Sequence, residues 1–143
     1  MKLTAPLKYK KILPQAQAPK TSEDNVGYDL FAPEDVFVKA GQRVLLRTGL
    51  AFKIPKGYWL KILDRSGMAN KWGAITSAGV IDSCYTGEVK VVFYNSGDKD
   101  IYIQTGDRPA QFVILEEIKA DLEETQELEL TDRGDKGFGS SGK

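Results

Sequence analysis

The 143-residue chain balances 20 Lys plus Arg against 20 Asp plus Glu and contains no histidine and a single cysteine, Cys84. This composition excludes Ser-His-Asp and Cys-His catalysis, most zinc sites, thiolate metal clusters and any internal disulfide. It also gives no global attraction to nucleic acid or to an anionic membrane. A general base is therefore expected to be a carboxylate, and any metal a hard cation held by oxygen.

The length fits one domain over residues 1–143, able to bury roughly two-thirds of its unfolded surface without a disulfide or metal staple. Met1 to Leu13 alternates Lys with apolar residues, unlike the continuous apolar core of a signal peptide, and no later run reaches membrane-spanning length. A soluble, intracellular protein is expected.

In chain order, Leu7 to Leu13 reads as a first strand and Pro14 to Asp24 as an extended connector. Gly27 to Ala32 follows as an ordered piece. Short apolar runs come next: Val36 to Val38, Val44 to Leu50, Phe52 to Ile54 and Tyr58 to Leu63, divided by the turns Ala40-Gly41 and Pro55-Lys56-Gly57. Met68 to Gly73 suits a single helical turn. Val89 to Asn95 and Ile101 to Gln104 flank the Ser96-Gly97-Asp98 turn, Pro109 to Ile118 forms a further run, and Glu127 to Leu130 a last one. Ile118 to Glu127 is acidic and of helical composition, yet the spacing of turns throughout predicts an all-β barrel or sandwich.

Between these runs, Gly79 to Gly87 brings Asp82 onto a turn behind an apolar backbone, with the Tyr85 ring at its exit. That suits a general base beside a stacking face; receipt of turn N–H groups by Asp82 and plain packing of Tyr85 are the structural alternatives. Arg65-Ser66-Gly67, after a strand, can converge on an anion or can be a surface turn. Asp29, in an apolar run, needs a cationic partner such as Arg65, or acts as a cap. Gln111, between Ala110 and Phe112, needs a hydrogen-bond partner for its amide, structural or otherwise. The segment 132–143, rich in glycine and serine and carrying Arg133 and Phe138, reads either as a floppy tail or as a flap that closes over phosphates.

Together these segments resemble, in order and spacing, the five motifs of the trimeric dUTPase family. They are Val26-Gly27-Tyr28-Asp29-Leu30, Arg65-Ser66-Gly67, Gly79-Val80-Ile81-Asp82 with Tyr85 and Gly87, Gly106-Asp107-Arg108 with Ala110-Gln111, and Arg133-Gly134 with Gly137 to Gly142. The resemblance implies a distorted jelly-roll-like β-barrel with a mobile Gly-rich C-terminal arm, and a homotrimer whose active sites are shared between chains. It implies hydrolysis of dUTP to dUMP and pyrophosphate, limiting uracil in DNA and supplying dUMP for dTMP synthesis, with no nucleic-acid or membrane partner.

Carried onto matching positions, Asp82 activates water against the α-phosphorus, while Arg65, Ser66, Gly67, Gln111, Arg133, Gly139, Ser140 and Ser141 hold the phosphates. Mg2+ is held mainly through those phosphates, without a direct protein ligand, and Asp29 steadies Arg65 or metal-bound water. Gly79, Val80, Ile81 and Lys90 read uracil, Tyr85 excludes ribose, and Phe138 covers the base. Asp64 stands where the family usually has proline, Pro109 where it has an aliphatic residue, suggesting an edge or bulge, and Cys84 where an acid is common. Two rival readings are a dCTP deaminase using Glu88 as its acid, and a non-enzymatic module that senses dUTP.

Overall fold

The computed structural model describes Leu3 and residues 5–138. Ten strands and one short helix follow in order: β1 (Lys8–Lys11), β2 (Tyr28–Leu30), β3 (Val36–Val38), β4 (Arg43–Lys53), β5 (Tyr58–Asp64), α1 (Ser66–Trp72), β6 (Ala74–Ser77), β7 (Val80–Ile81), β8 (Glu88–Asn95), β9 (Ile101–Ile103) and β10 (Ala110–Glu116). They form two four-stranded sheets, β1-β4-β8-β6 and β2-β10-β5-β7, and a β3-β9 pair, all antiparallel. The class is all-β and jelly-roll-like, with sheets that share one hydrophobic core and, among the described residues, are not closed into a continuous ring of hydrogen bonds.

Alternation explains the core. In β8 the residues Val89, Val91, Phe93 and Asn95 are buried while the residues between them turn outward. Leu50 from β4, Leu60 from β5, Phe112 from β10 and Leu30 from β2 meet them from the other strands. Each such side chain contributes about 1.5–3 kcal/mol on burial. The buried Asn95 is satisfied by donating to the carbonyls of Val38 and Lys99, which ties the β3-β9 pair to the larger sheet.

Several elements differ from their sequence expectation. Val44 to Leu50 and Phe52 to Ile54, read as separate runs, join through Ala51 into the one strand β4, which ends at Lys53 and carries a bulge at Thr48-Gly49. The register against β8 shifts between Arg47 and Leu50, and the Thr48 hydroxyl donates to Val89 O and accepts from Leu50 N–H. The acidic run after β10 forms no helix, and Glu127 to Leu130 forms no strand: Leu128 and Leu130 are almost fully exposed, and among the described residues no strand pairs with them. Pro109 marks neither an edge nor a bulge. It is buried one residue before the β10 ladder begins at Ala110, where its missing N–H removes no ladder bond, and β10 lies inside its sheet.

Ala74 to Ser77, β6, carried little sequence signal because only Ala74 is buried. It matters for placement, since the chain leaves the first sheet at Ser77 and enters the second at Val80 through Ala78 (φ 58°) and Gly79 (φ 83°). Gly79 O accepts from Ile62 N–H at 2.8 Å, and a Cβ on Gly79 would stand 2.8 Å from the Ile62 carbonyl oxygen. Left-handed strain of about 1–2 kcal/mol adds to that backbone collision. Gly79→Ala is therefore expected to cost about 2 kcal/mol or more, seen as a Tm lowered by at least about 5 °C; an unchanged Tm would mean that the corner relaxes freely.

Candidate active site

The second sheet positions two groups of side chains. Register places Gln111 of β10 opposite Asp29 of β2 on one side and Leu63 of β5 on the other. The end of β5 therefore brings Arg65 beside Asp29. Arg65 Nε lies 2.7 Å from Asp29 Oδ1 and Arg108 Nη1 3.1 Å from Oδ2, while Arg65 Nη1 donates to Arg108 O at 3.1 Å. One carboxylate thus orients two guanidinium groups.

These groups wall a cavity of about 540 Å3, completed by Ser66 and Gly67 at the start of α1 and by Lys20, Thr21, Ser22, Asn25 and Val26 of the connector. Among the described residues that line it, Lys20, Arg65 and Arg108 are the cations and Asp29 the one acid, so the cavity suits an anion. Gln111 Nε2 donates to Asp64 O at 2.7 Å, and its amide packs against Gly27, where any Cβ would overlap Gln111 Oε1. Gly27 is thus the residue that leaves room for Gln111.

Asp64 does not add its charge to this cavity. Its Oδ1 accepts from Thr76 N–H at 2.5 Å and from the Thr76 hydroxyl at 2.7 Å, so the carboxylate turns toward β6 while its own carbonyl serves Gln111.

Asp82 and Tyr85 form the second group. Asp82 is exposed, and its carbonyl accepts from Tyr85 N–H at 3.0 Å, closing the turn. The Tyr85 ring folds over Gly87 and its hydroxyl donates to Glu88 O at 2.8 Å. Lys119 stands close by: its ion pair with Glu117 raises its pKa, and the charges of Asp82 and Cys84 act in the same direction. Cys84 is a free, exposed thiol.

The two groups lie apart. Pairing of Leu60 with Ile81 and Lys61 with Val80 continues to set Asp82 opposite Trp59, at the end of β5 remote from Arg65. At about 3.3 Å per residue the intervening strand spans roughly 20 Å. Asp29, Arg65, Ser66, Gly67 and Gln111 come together in one chain; Asp82 and Tyr85 do not join them.

Of the remaining residues, Val80 and Ile81 form β7, and Lys90 is exposed on β8 opposite Arg47. Arg133 makes a local bond from Nε to Lys136 O, and Phe138 is fully exposed with φ 50°. Gly139, Ser140 and Ser141 lie outside the described residues. Arg108 and Lys20 are cavity residues to which sequence reasoning assigned no role; for Arg108 the available signal was its place two residues before the Ala110-Gln111 pair.

Glu88, the acid of the deaminase alternative, is held elsewhere. Arg47 donates to it from Nε and Nη2 at 3.0 Å, and Gly49 N–H, freed by the β4 bulge, donates at 3.0 Å. Burial pushes the Glu88 carboxyl up, but the Arg47 and Gly49 hydrogen bonds outweigh it and hold the pKa below its ordinary value. A depressed folded pKa adds stability that is complete above the ordinary glutamate value and lost as pH falls through the lowered one. The Tm of the wild type should accordingly fall more steeply below about pH 4.5 than that of Glu88→Gln; parallel curves would remove Glu88 from the acid response.

Fold and cavity define an all-β protein with a cationic anion pocket and a separate carboxylate turn. The dUTPase family model matches residues 14–142. The deoxyuridine 5'-triphosphate nucleotidohydrolase of Paramecium bursaria Chlorella virus 1 is 42% identical over 134 residues, covering 93% of this chain and 95% of the relative. That of Nautilia profundicola is 43% identical over 140 residues, covering 96% and 99%. Among solved structures, a mutant Staphylococcus bacteriophage 80alpha dUTPase with dUpNHpp superposes with a TM-score of 0.88 at 27% identity, covering 97% of this chain and 99% of that one. The chain belongs to the dUTPase family, as its five motifs imply.

Proposed function

We propose that this chain, a dUTP diphosphatase by family, splits dUTP into dUMP and pyrophosphate at sites assembled from more than one copy. The observation that carries this reading is the distance along β5 between the Asp82 turn and the Arg65 cavity, too long for one triphosphate to meet both in a single chain. A homotrimer in which the Asp82 turn of one copy faces the Arg65 cavity of the next completes the site.

In this mechanism Asp82 takes a proton from water as the water oxygen bonds to the α-phosphorus, and the bond from that phosphorus to the bridging oxygen breaks to release pyrophosphate. General-base assistance supplies about 10²- to 10⁴-fold. Positioning and charge supply the rest: Arg65 and Arg108, aimed by Asp29, with Ser66 and Gln111, hold the phosphates in line, and the 132–143 flap adds Arg133 and the hydroxyls of Ser140 and Ser141. Both Asp29 oxygens already receive guanidinium N–H groups, and among the described residues no three Asp, Glu or Cys cluster. Such a donor set fits a magnesium ion that arrives on the phosphates and offsets their charge.

The backbone of Gly79 to Asp82, with Lys90, reads the uracil edge. Tyr85 closes on the sugar, held by its bond to Glu88 O, and Phe138 covers the base. Among the described residues no helix is long and apolar enough to cross a membrane; we place the enzyme in the cytoplasm, where it keeps uracil out of DNA and supplies dUMP for dTMP synthesis. The test is pyrophosphate release from dUTP, UTP, dTTP and dCTP, with and without magnesium. Strong preference for dUTP is expected, and comparable turnover of UTP or dTTP would overturn the specificity assignment. Ammonia released from dCTP would instead favour the deaminase, against which the engagement of Glu88 by Arg47 already weighs.

A further inference from the structure

We infer that Asp64 is a positioning residue of the anion pocket, acting through its own carbonyl on Gln111 and through the shared backbone on the adjoining Arg65. The inference rests on the reading of that pocket as the phosphate site. Three constraints meet at Asp64. Its carboxylate Oδ1 accepts both the N–H and the hydroxyl of Thr76, its carbonyl accepts from Gln111 Nε2 at 2.7 Å, and its backbone is in register with Ala110.

Thr76 belongs to β6, which pairs with β8 in the first sheet, whereas β5 pairs with β10 and β7 in the second. The Asp64–Thr76 contact is therefore a charge-assisted tie between sheets, placed at the last residue of β5. Directly beyond it Arg65 stays extended (φ −98°, ψ 134°) before α1 begins, and its side chain reaches Asp29. A proline here, as is usual in the family, would restrict this backbone by its ring; this chain holds it by a side-chain clamp. The same clamp turns the Asp64 charge away from the phosphates.

Removing the carboxylate should leave the end of β5 free to rotate, so that Gln111 and Arg65 lose their common frame. The experiment measures Tm, KM and kcat for dUTP, and calorimetric binding of pyrophosphate, for Asp64→Ala, Asp64→Asn and Thr76→Val. Asp64→Ala is expected to raise KM and to weaken pyrophosphate binding about tenfold, with kcat changed less than about threefold. Asp64→Asn keeps an oxygen that can accept both Thr76 donors and should recover most of the loss. Thr76→Val, which removes only the hydroxyl, should lie between them and serves if Asp64→Ala does not fold.

A lowered Tm for Asp64→Ala with KM and pyrophosphate affinity unchanged would reduce Asp64 to a purely structural tie and overturn the inference. Tighter binding in Asp64→Ala would overturn it too, since it would mean that the charge repels the phosphates. Pyrophosphate binding reads the pocket whether or not dUTP is turned over, so failure of the clamp and failure of the proposed activity are told apart.

Discussion

Asp82→Asn is expected to slow pyrophosphate release from saturating dUTP by about 10²- to 10⁴-fold while KM stays within a few-fold. Asparagine matches aspartate in size and can still accept a hydrogen bond from water, but it cannot take the proton. The turn should survive, because the bond that closes it runs from Tyr85 N–H to the main-chain carbonyl of residue 82 and does not involve the carboxylate. No histidine stands ready to substitute, since the chain has none. A kcat within about threefold of wild type would end the assignment of Asp82 as the base.

Mixing two inactive variants is expected to restore activity. Asp82→Asn should lack the base, and Arg65→Ala the guanidinium that Asp29 aims into the cavity. If each site draws Asp82 from one copy and Arg65 from another, a chain with the first defect can complete a site with a chain carrying the second. Random assembly of equal amounts then leaves roughly a quarter of the sites with both native residues. Refolding or co-expressing the pair and measuring pyrophosphate release should recover activity of that order, against a background near zero for either variant alone. Absence of recovery in verified mixed oligomers would mean that Asp82 and Arg65 act from the same chain. The roughly 20 Å of strand between them would then have to be closed by rearrangement within one copy.

Much of the strand content was legible because the runs are short, apolar and punctuated by turn residues: Val36 to Val38, Tyr58 to Leu63 and Val89 to Asn95 fall where strands form. Misreadings arose where local pattern and tertiary pairing part. Ala51 divides two apolar runs, but it pairs with Lys10 on one side and Glu88 on the other, so a single strand continues through it, with its bulge at Thr48-Gly49. Glu127-Leu128-Glu129-Leu130 alternates like a strand, yet among the described residues no strand pairs with it. Ala74 to Ser77 has almost no apolar signal and pairs because β8 presents it an open edge.

For the site, the lack of histidine and the isolated carboxylate in Gly79 to Gly87 by themselves made Asp82 the expected base, and the five spaced motifs identified the family, since both rest on residue types and order along the chain. What only the tertiary structure decided is which groups meet. Antiparallel register brought Asp29, Gln111 and the end of β5 to one place, added Arg108 to Arg65 on the same carboxylate, and turned Asp64 away toward Thr76. The same register sent Asp82 to the opposite end of the sheet. Such neighbours are set by hydrogen-bonded pairing between segments dozens of residues apart, which no local pattern of residues contains.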